Sequence, residues 1–354
     1  MNFRILKYLL VYLTPLAVLR SILADGWFTY YSVIVMFILI PLLELFARGS
    51  EKNLSKAEEE MALKDKMYDF LLYSLVPIQY ATLVIFLFRV SEGNLLFYEK
   101  FGIAISFGMS CGILGINAAH ELGHRVTWYE QLMSKMLLLT TLYMHFFIEH
   151  NRGHHKNVST DEDPASSRLG EMVYLFYFRS IYGSFVSAWK LEAEQLKRLK
   201  LPFWSLKNEM IVYQLLQVSL ILLIFYLFGL ETTIFFLISA TIGILLLETV
   251  NYIEHYGLRR KKKEKGYERT LPIHSWNSNH PVGRMVLLEL SRHSDHHFIA
   301  IRKYQILRHF DESPQMPTGY PGMLVLAMVP PLWFRVMNPR IEKYRNSIEG
   351  NSLS

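Results

Sequence analysis

Long apolar runs separated by short polar segments form the pattern of this 354-residue chain. A helix that crosses the hydrocarbon core of a bilayer needs about 20 predominantly apolar residues. Runs of that length predict six transmembrane helices, at about 5–24, 28–47, 67–90, 101–119, 209–228 and 232–250. The predicted fold class is therefore an all-α integral membrane protein.

Charges between the runs predict the orientation. The link after the first run carries Asp25 and no Lys or Arg, Arg48 and four lysines follow the second run, and RRKKKEK at 259–265 follows the sixth. Cytoplasmic loops of membrane proteins are enriched in Lys and Arg. We therefore expect a multi-pass protein of the cytoplasmic (inner) membrane, with both termini and every even-numbered helix exit facing the cytoplasm.

Two other apolar stretches are interpreted differently. Residues 131–148 have the hydropathy of a span, but they lie between two histidine-rich segments that a crossing would place on opposite faces of the membrane. We therefore predict a buried or re-entrant segment. Residues 172–189 are aromatic and include Arg179, which is typical of a helix lying in the membrane interface.

The chain is expected to form a single domain over residues 1–354. It combines the six helices with a cytoplasmic helical cap made of 120–208 and 251–354. A composition of 51% hydrophobic and 19% charged residues agrees with the membrane class. The single cysteine, Cys111, excludes an intramolecular disulfide. The scattered net charge of +6 gives no reason to expect nucleic acid as a partner.

Histidines are concentrated in four short segments. Nine of the thirteen lie in HELGH (120–124), EHNRGHH (149–155), NYIEHYG (251–257) and SRHSDHH (291–297). The remaining four stand alone, and we expect structural or surface roles for them: His145, His274, His280 and His309.

The spacing within these segments indicates metal binding. Residues four apart share one face of a helix, so three pairs can each aim two imidazoles at one point: His120/His124, His150/His154 and His293/His297. His155 and His296 lie beside these pairs and can reach the same centre or a neighbouring one. Imidazole is a common ligand of zinc, copper, iron and nickel.

HELGH alone matches the H-E-x-x-H signature of zinc proteases, with His120 and His124 as ligands and Glu121 as general base. That interpretation leaves seven clustered histidines without a role. Nine imidazoles exceed the capacity of one ion and predict two metals, iron if the chemistry involves oxygen. Nearby carboxylates could orient the rings or stabilise loops: Glu121, Glu149, Asp163, Glu254 and Asp295.

The motifs HELGHR, EHNRGHH with DEDPASSRLGE, ETVNYIEHYGLRR and LSRHSDHHF resemble the four signatures of the integral-membrane alkane 1-monooxygenases. These form a branch of the histidine-rich membrane desaturase and hydroxylase superfamily. The likeness covers about residues 100–340, and NYIEHYG is the discriminating motif, because the wider desaturase group lacks it. The chain departs from the family at Ser291, where Gln is common, and at HFIAIRKYQ, where a small residue and proline are usual.

The resemblance implies six transmembrane helices and a cytoplasmic-facing, non-haem diiron centre with two Fe ions. It also implies terminal hydroxylation of medium-chain n-alkanes to 1-alkanols with dioxygen. Rubredoxin, reduced by rubredoxin reductase, would donate the electrons. The family's metal ligands carry over to His120, His124, His150, His154, His155, His255, His293, His296 and His297. We expect an apolar channel between the helices at 28–47, 67–90 and 101–119 to deliver the terminal methyl.

Three alternatives remain open at this point. A related membrane hydroxylase or desaturase acting on alkyl-aromatic or fatty acyl substrates would give a benzylic alcohol or an alkene rather than a terminal alkanol. A membrane zinc metalloprotease would hold one zinc and need no reductant. A metal transporter would place its ligands within the spans rather than at their ends.

Overall fold

A computed structural model describes residues 3–351 of the chain as helices and connecting loops. Five helical segments in this part are long and apolar enough to cross a membrane: Arg4–Ile22, Gly26–Phe46, Met67–Val90, Phe97–Gly123 and Glu209–His255. The other α-helices are Lys56–Lys64, Trp128–Leu139, Phe146–Glu149, His155–Asn157, Val173–Leu199, Pro281–Val286, His293–Phe298, Tyr320–Ala327 and Pro330–Asn351. The β-bridges within the described residues are isolated pairs. The protein is therefore all-helical and has the apolar helices of a membrane protein.

The first three apolar helices agree with the sequence prediction to within a few residues, and the last two predicted segments form two helical stretches that meet at Gly229. Predicted segments 209–228 and 232–250 lie in one 47-residue element, Glu209–His255, which is interrupted at Gly229. Gly229 has φ 79° and ψ 179°, a conformation that favours glycine.

Contacts show that this element doubles back at the interruption. Glu209 at its start lies 3.1 Å from Arg152, and the rings of His255 at its end and His154 lie 5.0 Å apart. Near the middle, Glu231 pairs with Lys100 at 2.8 Å, next to the start of the fourth apolar helix. Both ends of the element therefore lie at the histidine end of the protein. We call the parts before and after Gly229 its first and second arms.

The fourth apolar helix and the second arm pack very closely through glycine. A Cβ added at Gly108 would stand 2.7 Å from Ile242 Cβ, and one at Gly112 would stand 2.9 Å from Leu246 Cβ. Small residues at such spacing let two membrane helices approach closely. The fourth helix also continues beyond its predicted end to Gly123, so His120 lies on it. This packing brings His120 and His255 to the same end of the bundle.

Residues 131–148 form no crossing helix, which confirms the prediction. In the helix Trp128–Leu139, Ser134 Oγ donates to the carbonyl of Ala119 at 2.6 Å. The carbonyl of Thr140 then lies 3.7 Å from Cys111 Sγ. The segment therefore runs back along the fourth apolar helix. It turns near Leu142, which has φ 55°, and returns towards His150.

The predicted helix at 172–189 is also present and extends over Val173–Leu199. Its buried residues recur every three or four positions, which is the pattern of an amphipathic helix: Val173, Phe176, Tyr177, Ser180, Ser184, Ala188, Glu192 and Leu196. Phe178 and Tyr182 are exposed on the opposite side. This helix packs beside the second arm, where Tyr177 Oη and Thr249 Oγ1 lie 2.6 Å apart.

A buried ionic cluster joins the N-terminal helix to the segment that carries the last histidines. The carboxylate of Glu289 accepts hydrogen bonds from Tyr8 Oη at 2.7 Å, Lys7 Nζ at 3.0 Å and Arg284 Nε at 2.6 Å. Burial raises the pKa of Glu289, but Arg284 and Lys7 outweigh it and hold that pKa at about 2. Glu289 is therefore an ionised anchor four residues before His293.

Candidate metal centre

All nine clustered histidines come together at one end of the helix bundle. They form two groups, and within each group one ring nitrogen of every member lies within 4.8 Å of the others. The first group contains His120, His124, His150, His155 and His296, and the second contains His154, His255, His293 and His297. The two groups are in contact, since the ring centroids of His155 and His297 are 4.5 Å apart.

Helical spacing predicts two of the three histidine pairs correctly. His120 and His124 share the end of the fourth apolar helix and belong to the first group. His293 and His297 lie on the short helix His293–Phe298 and belong to the second group. His255, the last residue of the second arm, joins them.

The third predicted pair, His150 and His154, is wrong. The chain forms a π-helical turn at His150–His154, which widens the turn by one residue. His150 therefore aligns with His155, and their Nε2 atoms are 3.1 Å apart in the first group. His154 instead faces His297 of the second group, with 3.2 Å between Nε2 atoms. One short segment thus contributes to both groups.

The ring nitrogens provide a test of whether metal fits here. Several buried ring nitrogens have no hydrogen-bond partner among the described residues: His120 Nε2, both nitrogens of His255 and of His293, and His297 Nδ1. Leaving buried polar atoms unpaired is costly, so such a set needs an explanation. Nitrogens on opposite sides of an ion, each about 2.1 Å from it, stand about 4.2 Å apart. The spacing of the two groups fits two ions bound by imidazole.

Two of the five candidate carboxylates lie against histidines, both of the second group. Asp163 Oδ2 is 2.9 Å from His154 Nδ1 and also accepts from Ser166 Oγ at 2.5 Å. Burial raises the pKa of Asp163, but His154 and Ser166 outweigh it and bring that pKa below its ordinary value. Glu254 Oε2 lies 3.1 Å from His293 Nε2 without hydrogen-bonding geometry.

The other three candidates contact different partners. Glu121 pairs with Arg125 at 2.6 Å, and Asp295 pairs with Arg302 at 3.1 Å. Glu149 Oε1 accepts from Ser187 Oγ at 3.4 Å, and burial, together with Asp163, raises the pKa of Glu149 to about 8. These three carboxylates hold the surrounding helices and loops in place rather than touching a ring.

A narrow apolar cavity of about 50 Å³ reaches the histidines from inside the bundle. It ends against His120, His150 and His293, and its walls come from the fourth apolar helix, the second arm, Leu287, Leu290, Phe146 and Leu324. We call it the inner cavity. The predicted channel is only partly right: residues 112–117 take part, but the helices at 28–47 and 67–90 do not line this cavity.

Sequence reasoning missed two asparagines in the inner cavity. Asn117 Nδ2 donates to the carbonyl of Leu287 at 3.0 Å, and Asn251 Nδ2 donates to Glu248 at 3.3 Å. Asn117 is three residues before His120, and Asn251 is four before His255. Residues at these spacings share one face of a helix, so both asparagines could have been identified from the sequence.

The four isolated histidines belong to neither group. His274 contacts Glu268 at 3.2 Å, and His309 contacts Asp311 at 3.1 Å. His280 Nδ1 lies 3.0 Å from Ser278 Oγ. His145 packs its ring against Tyr143, with centroids 4.3 Å apart.

The chain is similar in sequence to several known proteins. Residues 100–326 match the fatty acid desaturase family. Alkane 1-monooxygenase of Acinetobacter baylyi is 42% identical over 89% of this chain and 78% of its own length. Alkane 1-monooxygenase of Pseudomonas putida is 41% identical over 91% of this chain and 80% of its length. The xylene/toluene monooxygenase hydroxylase component XylM of Pseudomonas putida is 29% identical over 76% of this chain and 72% of its length.

Proposed function

This chain belongs to the alkane 1-monooxygenases, within the fatty acid desaturase family, and on that premise we propose that it converts medium-chain n-alkanes to 1-alkanols at a non-haem diiron centre. The observation that carries the proposal is the meeting of two histidine groups with one apolar cavity. The reaction consumes dioxygen, two electrons and two protons for each alkane, and releases one water with the alkanol.

The nine histidines of the two groups are the proposed ligands, five for one ion and four for the other. Two iron ions, when bound, would supply the reductive activation of dioxygen. The chain's own part is to fix the rings, and Asp163 does so for His154 by accepting a hydrogen bond from Nδ1. A carboxylate in that position sets the tautomer and orientation of a ligand ring.

The inner cavity accounts for the substrate class. An alkane has no polar group to recognise, so its binding rests on apolar burial, worth roughly 0.8 kcal/mol per methylene. The cavity walls are mostly apolar, and His120, His150 and His293 form part of them. We propose that the terminal methyl sits beside these histidines and that the helix walls exclude water from it.

Rubredoxin, reduced by rubredoxin reductase, is the proposed electron donor. Electrons from a soluble protein need a route from the surface to the metals. His124 and His155 of the first group are partly exposed, and a surface depression beside His124 is lined by Lys66, Arg125 and Lys303. The same depression also carries Asp69 and Glu130, so its charges are mixed, and the support for a soluble donor is the partial exposure of His124 and His155.

For the topology, we propose six crossings of the inner membrane, counting the two arms of Glu209–His255 separately. One domain then spans residues 1–354, with the histidines and the cap of 120–208 and 251–354 on the cytoplasmic side. The return of the chain at Gly229 and the basic run at 259–265 support this arrangement.

A second candidate substrate class is favoured by one comparison. XylM, whose name gives xylene and toluene as substrates, aligns with 76% of this chain. A methyl group on an aromatic ring would use the same cavity end. The zinc protease interpretation has no such support, because it leaves seven of the nine grouped histidines unexplained.

The test combines metal analysis with product analysis. Purified protein should hold about two irons per chain and form 1-octanol from octane only with dioxygen, rubredoxin and rubredoxin reductase. Toluene supplied in the same assay separates the two substrate classes by the yield of benzyl alcohol. Protein that binds only zinc and makes no alkanol would overturn the proposal.

A further inference from the structure

A second and much larger apolar cavity, of about 890 Å³, lies on the outer side of the second arm. The arm bounds it from Thr241 to Thr249, and the aromatic side of the helix Val173–Leu199 forms the opposite wall. Within the described residues, its lining includes no Asp, Glu, Lys or Arg. We call it the outer cavity. Its surface suits an uncharged, apolar chain.

The outer cavity lies at the depth of the apolar helices. Thr241 is 14 residues before His255 on the second arm, which corresponds to about 21 Å along a helix. Phe178 and Tyr182, which also line the cavity, are 79% and 73% exposed on the surface of the bundle. The cavity therefore opens on the apolar surface of the bundle, where the helix Val173–Leu199 is expected to lie in the membrane interface, so its occupant would be drawn from the bilayer.

Three consecutive leucines divide the two cavities. Leu245 lines only the outer cavity, Leu247 lines only the inner one, and Leu246 lines both. Leu246 packs directly onto the fourth apolar helix, since a Cβ added at Gly112 would stand 2.9 Å from its Cβ. One side chain thus stands between the cavity that reaches the histidines and the cavity open to the surface.

We propose that Leu246 determines which chain lengths the enzyme accepts, and that the tail of a long alkane extends past it into the outer cavity. This inference rests on the proposed alkane substrate. The inner cavity of about 50 Å³ limits how much chain it can hold, whereas the outer cavity offers far more apolar space. Each further methylene buried there multiplies the binding constant by about fourfold.

Substitutions at the three leucines test this division, with octane and hexadecane supplied together in equal amounts. In Leu246→Ala the ratio of 1-hexadecanol to 1-octanol should rise about tenfold or more, because at least two further methylenes gain apolar contact. In Leu246→Trp the ratio should fall by a similar factor while octanol is still formed. Leu245→Ala and Leu247→Ala each alter the wall of one cavity only, so each should change the ratio clearly less than Leu246→Ala does.

A second measurement does not depend on catalysis. Metal-free protein in vesicles is exposed to octane or hexadecane carrying a diazirine at one end, and the labelled peptides are identified after illumination. Both probes should label residues 112–120 in the wild-type protein. Leu246→Trp should reduce that label about tenfold more for the hexadecane probe than for the octane probe.

The outcomes separate this inference from the proposed function. If no alkane yields an alkanol but the labelling follows the expected pattern, the proposed reaction fails and the role of Leu246 stands. If alkanols form but the Leu246 variants leave both the product ratio and the labelling as in the wild type, the inference about Leu246 is overturned and the proposed function stands.

Discussion

The two histidine groups differ in how the protein surrounds them. All four histidines of the second group are buried, and Asp163 and Glu254 lie against two of their rings. In the first group, His124 and His155 are partly exposed, and the neighbouring carboxylates pair with cations instead. Glu121 holds Arg125 at 2.6 Å, and Asp69 holds both Arg125, at 3.3 Å, and Lys303, at 2.9 Å.

This difference separates two uses of a buried carboxylate. One that binds an imidazole fixes the ring and strengthens it as a ligand. One that binds a guanidinium joins segments of the fold, as Glu121 and Asp69 do beside HELGH and Glu289 does before His293. We therefore expect the first kind of carboxylate to act on metal affinity and the second kind to act on stability.

The largest expected effect comes from removing a ligand of the second group. His255→Ala should lower alkane hydroxylation more than about a hundredfold, because losing a ligand exceeds the loss found for a residue that only orients one. Iron content should fall from about two per chain towards one. His280→Ala, an isolated histidine beside Ser278, is the control and should keep both activity and iron. Equal losses in the two variants would contradict the assignment.

Removing the ionic anchor at Glu289 should act on stability. Glu289→Gln leaves Arg284 and Lys7 without their buried carboxylate, and breaking such a pair costs about 3–5 kcal/mol. The protein in detergent should therefore unfold at a lower temperature, while correctly folded molecules still bind two irons. If the variant kept its stability but bound less iron, Glu289 would act on metal binding rather than on stability, contrary to this prediction.

The same variant has a predicted pH dependence. The pKa of Glu289 is held at about 2 in the folded protein, below the ordinary value of about 4.3 for glutamate. A lowered pKa contributes stability above the ordinary pKa, and that contribution disappears as the pH falls through the folded value. The difference in unfolding temperature between wild type and Glu289→Gln should be constant from pH 8 to 5 and shrink below about pH 4.3.

Replacing one carboxylate of each kind by the corresponding amide compares the two kinds directly. Asp163→Asn should weaken iron retention about 10–100-fold, because the N–H at His154 Nδ1 no longer donates to a charged carboxylate. Glu121→Gln should change iron retention less than about threefold and lower thermal stability instead. Iron per chain after dialysis against a graded series of chelator concentrations measures both. Equal effects of Asp163→Asn and Glu121→Gln on iron retention would contradict the distinction between the two kinds of carboxylate.

The sequence predicts which histidines come together better than it predicts how they divide into two groups. Apolar run length places the helices, since hydrophobicity determines which segments cross a membrane. The spacing of four predicts the pairs at 120/124 and 293/297, where the backbone is α-helical. It fails at His150 and His154, because the π-helical turn there changes the phase and sends the two rings to different groups. Nothing in the letters EHNRGHH distinguishes a π turn from an α turn.

Long-range contacts explain the other differences. Glu121 pairs with Arg125 four residues later, which helical spacing could have predicted, but the contacts of this pair with Asp69 and with the backbone N–H of Tyr304 come from distant segments. The inner cavity uses the second arm rather than the predicted helices at 28–47 and 67–90, because glycines at 108, 112 and 243 bring that arm against the fourth helix. The spacing of Gly108 and Gly112 in the sequence predicts a close helix contact, but not which helix makes it.

The smallest expected effect concerns the order in which the metals leave. With His124 and His155 partly exposed, the ion of the first group should be reached by a chelator before the ion of the fully buried second group. Iron loss from purified protein should therefore follow two phases of about one iron per chain each, with rates several-fold apart. In Asp163→Asn the slower phase should accelerate towards the faster one, because the ring of His154 no longer has a carboxylate partner. Loss of both irons in a single phase from the wild-type protein would show that burial and the carboxylates do not distinguish the two groups.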